Sequence, residues 1–327
     1  MLLGLRGCAV SDRPEAWYRL RESRAHPPGA ARSGQGRDTY QAALQQAEEL
    51  WVAARATGPA GRPLPLFYSV AQAGRAVVAA RGGTEACRHG LQDPKLAKSV
   101  LKSTVRPEAN GWFHMVAEAT GSDPLPAPVE LGALMASLPE ISGRSELVDS
   151  WLPALPVWPG PFPVEVLTSG FQQFGQTYLA PAVVVFQDLP ESEDRLKDAL
   201  EPYPDAAVAD PTLQRWSTSR GDGYVLRWPR SESASDPLPP PYGLDGFRWM
   251  RPYLPLGTRP PSLLMTWWAV LFTLSMLARY HPVQWVEALD PDQSSEAVLL
   301  AWTMEMALEV VPQLVLEAIQ VGQNRPQ

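Results

Sequence analysis

The chain has 327 residues, 45% of them hydrophobic and 19% charged, with a formal net charge of −7 at pH 7. A chain of this length and hydrophobic content can bury a sizeable core, which excludes an intrinsically disordered protein, and the negative charge argues against non-specific wrapping of nucleic acid. Two cysteines, Cys8 and Cys87, are too few for a disulfide framework, so we expect a reducing, cytoplasmic setting.

The charge is unevenly distributed along the chain. Residues 1–110 carry 16 Lys and Arg against 9 Asp and Glu, and the remainder carries 12 against 26. Two interpretations stay open. The basic and acidic parts pack together and pair their charges, or the basic N-terminal third presents a surface for RNA or a nucleotide.

Residues 38–54 predict the first long helix. Asp38 and Gln41 have the spacing of a capping box, and Gly58 and Pro59 end the pattern. Apolar residues recur on one face at helical spacing: Tyr40, Ala43, Leu44, Ala47, Leu50, Trp51 and Ala54. A shorter helix is predicted within residues 11–25, and the Pro, Gly and Ser residues of 26–36 predict a flexible linker.

Residues 66–81 predict a second helix, apolar on almost every side apart from Gln72 and Arg75. A helix of this kind is central to a core. Arg75 must then pair with a carboxylate or reach the surface, because an unpaired buried guanidinium is too costly in free energy.

The region from 111 to 230 has a different pattern. Short strand-like runs at 111–119, 164–167, 176–187 and 224–228 alternate with turn-rich segments. A helix is predicted over 131–138, and residues 230–243 predict a loop that leads out of the region.

The C-terminal third returns to helical patterns. Residues 262–278 are seventeen uncharged residues, and 294–320 predict a long acidic helix with an apolar stripe, interrupted at Pro312. Seventeen residues span about 26 Å as a helix, the short limit for a bilayer core. Because Ser, Thr and a Trp pair lie inside this run, we expect a buried core helix and no membrane association.

The common catalytic and metal-binding motifs are absent from the sequence. It has no phosphate-binding loop ending in Lys-Ser or Lys-Thr, no nucleophile elbow, no H-E-x-x-H and no pair of Cys-x-x-Cys motifs. Glu85, Cys87 and His89 alternate in a short segment but lack a fourth ligand. We therefore expect no cofactor and no metal.

Two Arg-His segments are the candidate site. Arg279 can bind an anionic group and His281 can transfer a proton near neutral pH, and Arg88 and His89 supply a second half if the two loops meet. The alternative is structural, because cations at the C-terminus of a helix are stabilised by its dipole without any catalytic role.

These patterns predict an α+β fold, a mostly helical core with an inserted small β-rich portion. The predicted parts are an N-terminal helix and flexible linker (1–37), the first part of the helical core (38–110), a β-rich insertion with proline-rich loops (111–243) and the second part of the core (244–327). The three hydrophobic helices, 66–81, 262–278 and 294–320, are expected to pack together. Their ends then place the Arg-His segments near Glu305 and Glu309.

Four segments, in this order and spacing, resemble the YaaC-like protein family of bacteria: 66-LFYSVAQAGRAVVAA-80, 88-RHGL-91, 111-GWFHMVAEATG-121 and 275-SMLARYHPVQW-285. The resemblance spans nearly the whole chain, and the family has no settled activity. The resemblance alone implies no particular activity, and we expect an interaction or effector role in a stress or phage-defence system, with a protein partner or a second copy.

The alternative function is a HEPN-like ribonuclease or phosphate-handling enzyme that uses Arg88, His89, Arg279 and His281. The HEPN class pairs Arg with a His after four to six intervening residues. Arg21 and His26 match that spacing, whereas Arg279 and His281 are separated by one residue. Whether the protein is an enzyme stays open at this point.

Overall fold

The computed structural model describes residues 15–83, 88–144, 146–159, 178–207, 209–229, 247–255, 257 and 259–321. The chain divides into two compact units, Met1–Leu134 with Pro261–Gln327, and Met135–Pro260. The second unit interrupts the first in the sequence. Helices dominate and the strands form two antiparallel sheets, which confirms the α+β class.

The following helices and strands lie within the described residues. The helices are α1 (Glu15–Ala25), α2 (Gly34–Ala56), α3 (Pro63–Ala80), α4 (Trp112–Thr120), α5 (Leu131–Ala136), α6 (Glu193–Leu200), α7 (Leu263–Tyr280), α8 (Pro282–Ala288) and α9 (Ala297–Val321). The strands are β1 (Leu91–Lys95), β2 (Thr104–Pro107), β3 (Val129–Glu130), β4 (Leu155–Trp158), β5 (Tyr178–Val185), β6 (Asp210–Thr218), β7 (Gly221–Pro229) and β8 (Arg248–Met250).

The core of the first unit is helical. α3 packs against α2, α4, α7 and α9, and α7 also packs against α9, so the predicted mutual packing of the three hydrophobic helices is confirmed. Gly74 allows α3 to come close to α7, because a Cβ there would lie 2.4 Å from the Trp268 ring. Arg75, on the same helix, reaches the surface as the cost of burying it requires.

Two helices of this core are long and apolar enough to cross a membrane by length and composition alone. They are α7 and α9. The most apolar 18-residue stretch of each helix is 78% and 56% buried inside the protein, respectively. Every residue of α7 from Leu264 to Leu277 is buried, as expected for a core helix.

The strand predicted over 111–119 is wrong, because these residues form most of α4. Trp112, Phe113, Val116 and Ala117 are its buried residues, and this spacing lines one side of a helix. Gly121 then ends the helix in the left-handed conformation. The helix predicted over 131–138 is confirmed as α5.

Two predicted helix features also need correction. α2 begins at Gly34 with Ser33 in the N-cap position, so Asp38 lies within the helix and does not cap it. α9 continues through Pro312, which does not interrupt it. Proline removes one backbone N–H, and the buried flanking side chains of Val311 and Leu314 hold the helix against the core.

A three-stranded antiparallel sheet, in the order β1-β2-β3, completes the first unit. β1 and β2 lie in the stretch predicted to be helical, and β1 packs against α7. In the sequence, the second unit runs from residue 135 to residue 260, whereas the β-rich insertion was predicted to run from 111 to 243. Packing of α4 against α3 explains why the first unit extends past 111.

The second unit is built on a five-stranded antiparallel sheet in the order β6-β7-β5-β4-β8. The predicted strands at 176–187 and 224–228 are confirmed as β5 and β7. One face of the sheet packs against α6 through Leu196 and Leu200. The strand predicted at 164–167, the loop at 230–243, and Cys8 and Cys87 lie outside the described residues.

Candidate functional site

Residues 88–90 form a short loop held against the N-terminus of α4. The backbone N–H of Trp112 donates to the carbonyl oxygen of Arg88 at 3.0 Å, and that of Phe113 donates to the carbonyl oxygen of His89 at 2.9 Å. These are first-turn N–H groups, which have no partner within their own helix. The loop therefore caps α4 through its backbone, and α4 in turn fixes the position of His89.

The loop and the helix approach each other through two glycines. Gly111 has φ +135°, and a Cβ built on it would lie 2.4 Å from the backbone nitrogen of Gly90 and 2.9 Å from the carbonyl oxygen of Arg88. Any residue with a side chain at 111 would have to push the loop away from α4. This contact joins two of the segments that carry the family resemblance.

The imidazole of His89 lies among aromatic rings of two helices. Its centroid is 5.4 Å from that of Phe67 and 6.4 Å from that of Tyr68, both on α3, and 5.9 Å from that of Phe272 on α7. His89 itself is half-buried. Its ring therefore marks the point where the 88–90 loop, α3 and α7 meet.

Burial lowers the pKa of His89 from its ordinary value. The nearby carboxylates of Asp93 and Glu108 oppose this effect, and the positive charges of Arg279 and Arg75 reinforce it. The imidazole is consequently neutral at pH 7 and able to accept a proton. Arg279, at the C-terminal end of α7, is thus one of the charges that act on His89.

The arginines at this site are exposed and two of them lie over aromatic rings. The guanidinium of Arg75 is 5.0 Å from the centroid of Trp112, and that of Arg279 is 5.0 Å from the centroid of Tyr280. Such contacts orient a guanidinium while its N–H groups stay available at the ring edge. Arg88 is also exposed, and its carbonyl oxygen is the group that contacts α4.

His281 lies at the junction of α7 and α8. Its backbone N–H donates to the carbonyl oxygen of Leu277, and its own carbonyl oxygen accepts from the N–H of Trp285, both at 2.9 Å. The residue therefore ends one helix and begins the next. This backbone role accounts for its position without any chemistry of the side chain.

Among the four predicted site residues, Arg279 acts on the charge of His89, Arg88 adjoins His89 in the loop, and His281 has a junction role. The carboxylates that act on His89 are Asp93 and Glu108, whereas Glu305 and Glu309 are exposed on α9. Five residues that surround His89 or act on its charge were not predicted from the sequence: Phe67, Tyr68, Phe272, Asp93 and Glu108. The only signal for them in the sequence was the family resemblance of the segments 88-RHGL-91 and 111-GWF-113.

The pair that matches the ribonuclease spacing lies elsewhere in the first unit. Arg21 forms an ion pair with Glu48, which raises the pKa of that guanidinium. His26 is exposed, beyond the end of α1. Arg21 is thus bound to a carboxylate of α2.

By residue type, His89 is able to ligate a metal ion. Within the described ranges, no group of three or more His, Cys, Asp or Glu side chains is arranged to hold a metal ion. Glu85 and Cys87, the other two residues of the alternating segment, lie outside those ranges.

An exposed apolar surface adjoins Arg279. Tyr280, Val283 and Val286 are 52%, 64% and 54% exposed, and the two valines are neighbours on α8. Trp285 is buried and its indole N–H donates to the carbonyl oxygen of Ala60 at 2.9 Å, so α8 is anchored through its other side. We call Arg279, Tyr280, Val283 and Val286 the Arg279 patch.

A family model described as YaaC-like protein matches residues 15–319. The chain belongs to the YaaC-like family. Comparisons with curated proteins and with solved structures found no match. In this YaaC-like protein the four segments of the sequence resemblance are α3, the 88–90 loop with the first residue of β1, α4, and the α7–α8 junction. The first three meet around His89 together with α7.

Proposed function

We propose that this YaaC-like protein is an interaction protein and that its Arg279 patch binds a second copy of the chain. The observation that carries the proposal is the exposure of three large apolar side chains, Tyr280, Val283 and Val286, within seven residues and beside an arginine. Single exposed apolar residues are common, but a group of them beside Tyr and Arg has the composition of an interface centre.

Charge complementarity supports a second copy as the partner. Glu305 and Glu309 are exposed and stand four residues apart on α9, so they share one side of that helix. Their carboxylates give the chain an acidic surface of its own that complements Arg279. In such an assembly, Arg279 of one copy pairs with Glu305 or Glu309 of the other, beside the apolar contact. Charge then sets the orientation of the two copies, as in a specific interface.

A charge-swap experiment tests this proposal by sedimentation velocity. Wild type is expected to sediment as a dimer or larger species at tens of micromolar and to dissociate as salt is raised, because salt screens exposed charges. Arg279→Glu alone and Glu305→Arg with Glu309→Arg are each expected to be monomeric. The triple variant is expected to recover the assembly.

The matched control is Arg106→Glu, which reverses an exposed arginine of β2 outside the patch and leaves assembly unchanged. Val283→Ser with Val286→Ser tests the apolar part and is expected to weaken assembly at constant charge. A wild-type protein that stays monomeric, or a triple variant that stays dissociated, overturns the second copy as partner and leaves the patch to a different acidic protein.

The charges around His89 favour a second candidate function, a HEPN-like ribonuclease or another phosphate-handling enzyme. A neutral imidazole can accept a proton while Arg75 and Arg279 bind a phosphate. Cleavage of a labelled single-stranded RNA is then expected to be lost in His89→Gln and Arg279→Gln proteins with wild-type circular dichroism spectra, and kept in Arg106→Gln. Absence of cleavage by the wild type rejects this candidate.

The cellular setting in stress response or phage defence stays a prediction. It is tested by phage challenge of bacteria that express the wild type or the Arg279→Glu variant at equal levels. Protection by the wild type alone supports a defence role that depends on the patch, and equal plaque counts in wild-type and empty-vector cells reject it.

A further inference from the structure

The second unit contains an open cavity of about 800 Å³. It lies at the end of the five-stranded sheet where β5 ends and where β4 and β7 begin, and Leu155, Val185 and Gly221 are among its lining residues. This volume is within the range of clefts that bind small molecules. The cavity is independent of the Arg279 patch, which belongs to the first unit.

Three exposed arginines from separate segments line the cavity. Arg144 precedes β4, Arg215 lies on β6, and Arg220 lies in the turn between β6 and β7. Guanidinium groups have a planar fork of N–H donors that matches phosphate oxygens. Because the three approach from different segments, they are suited to a ligand with more than one anionic group.

Arg220 is held in place by two aromatic rings and by the turn that carries it. Its guanidinium is 5.2 Å from the ring centroids of both Phe247 and Trp249. The turn that carries it is closed by Thr218, whose hydroxyl donates to the carbonyl oxygen of Gly221 at 2.9 Å and accepts from the N–H of Arg220 at 3.2 Å. An arginine held in this way loses little side-chain freedom when it binds an anion.

Two aspartates also line the cavity, Asp188 and Asp222. Asp222 accepts a hydrogen bond from the hydroxyl of Ser217 at 2.6 Å, which occupies one of its oxygens. Three arginines therefore face two carboxylates, and the lining keeps a positive excess. The two carboxylates repel any ligand whose anionic groups lie next to them and not next to the arginines, and this repulsion adds specificity.

We propose that this cavity binds a small molecule carrying two or more phosphate groups, of the nucleoside diphosphate class. The phosphates contact Arg144, Arg215 and Arg220, and the volume of the cavity leaves room for the nucleoside. The proposal does not depend on the function proposed for the first unit.

Isothermal titration of the full chain tests the proposal with ADP, pyrophosphate and adenosine as probes. ADP is expected to bind with a dissociation constant below about 1 mM, and adenosine is expected not to bind. Arg144→Gln, Arg215→Gln and Arg220→Gln are each expected to weaken binding about tenfold to hundredfold, as for loss of one charge-assisted hydrogen bond.

The control is Arg195→Gln, which removes the same charge from the exposed side of α6 outside the cavity and leaves binding unchanged. If Arg220→Gln perturbs folding, the two variants Arg144→Gln and Arg215→Gln carry the test. Binding of pyrophosphate without ADP identifies a free polyphosphate as the source and supports the phosphate site. Absence of binding by both, adenosine binding as tight as ADP, or an equal effect of Arg195→Gln overturns the proposal.

Discussion

Replacement of Gly111 by alanine is expected to destabilise the first unit by about 3–5 kcal/mol. The backbone at φ +135° costs a residue with a side chain about 1–3 kcal/mol. The new Cβ would lie 2.4 Å from the nitrogen of Gly90, so the loop must move away. That movement breaks the hydrogen bonds from Trp112 and Phe113, which contribute about 1 kcal/mol each.

Two other glycines separate the contributions. Gly34 has φ +61° with no atom near its Cβ position, so alanine there measures backbone strain alone, about 1–2 kcal/mol. Gly58 has open space and no positive φ, and alanine there is expected to change stability by less than about 0.5 kcal/mol.

The assay is guanidinium denaturation followed by circular dichroism, with amide hydrogen exchange at Trp112 and Phe113 as a local measure. Both amides are expected to exchange faster in Gly111→Ala than in Gly34→Ala. If Gly111→Ala is as stable as Gly58→Ala and the two amides keep their protection, the reasoning about the loop and α4 is refuted.

Two further predictions concern stability. Burial lowers the folded-state pKa of both His89 and His114, so the unfolded chain binds more protons below pH 6.5 than the folded chain does. The free energy of unfolding should therefore fall as the pH drops from 7.5 to 5.5. In the double variant His89→Gln with His114→Gln it should fall less steeply. Glu296 accepts hydrogen bonds from the hydroxyl of Ser99 and from the N–H of Val100, so Glu296→Ala should cost about 2–3 kcal/mol by chemical denaturation. The control Glu22→Ala, at an exposed position of α1 outside the Arg279 patch, should leave stability unchanged.

The long helices of the fold were predictable because their signal is local. α3 and α7 are apolar over four to five turns, and such runs favour a helix that is buried on all sides. Pro312 was a misleading signal, since packing of the flanking residues keeps α9 intact through it.

The short elements were not predictable from local pattern. Residues 112–120 are rich in aromatic and apolar residues that suit a strand, and the N–H groups of the resulting helix are capped by a loop more than twenty residues earlier in the chain. β1 and β2 contain Pro94 and Pro107, which weakens a strand signal. In both cases tertiary contacts decide the outcome.

The candidate site was partly predictable. Residue chemistry selected Arg88, His89, Arg279 and His281 as candidates, because arginine and histidine are the groups suited to bind anions and exchange protons, and their role stays a prediction. The aromatic cluster around His89 and the carboxylates of Asp93 and Glu108 depend on how α3, α7 and the β1–β2 pair pack, which sequence spacing does not encode. The cavity with Arg144, Arg215 and Arg220 was missed for the same reason.

The convergence of the family segments on His89 is tested most directly by the pKa of its imidazole, measured by an NMR pH titration. The structure predicts a pKa below the ordinary value of 6.5, raised by Arg279→Gln, which removes a neighbouring positive charge, and lowered further by Asp93→Asn. A pKa at or above 6.5 that does not change in Arg279→Gln would contradict the burial of His89 against α3 and α7 and the influence of Arg279 on its charge.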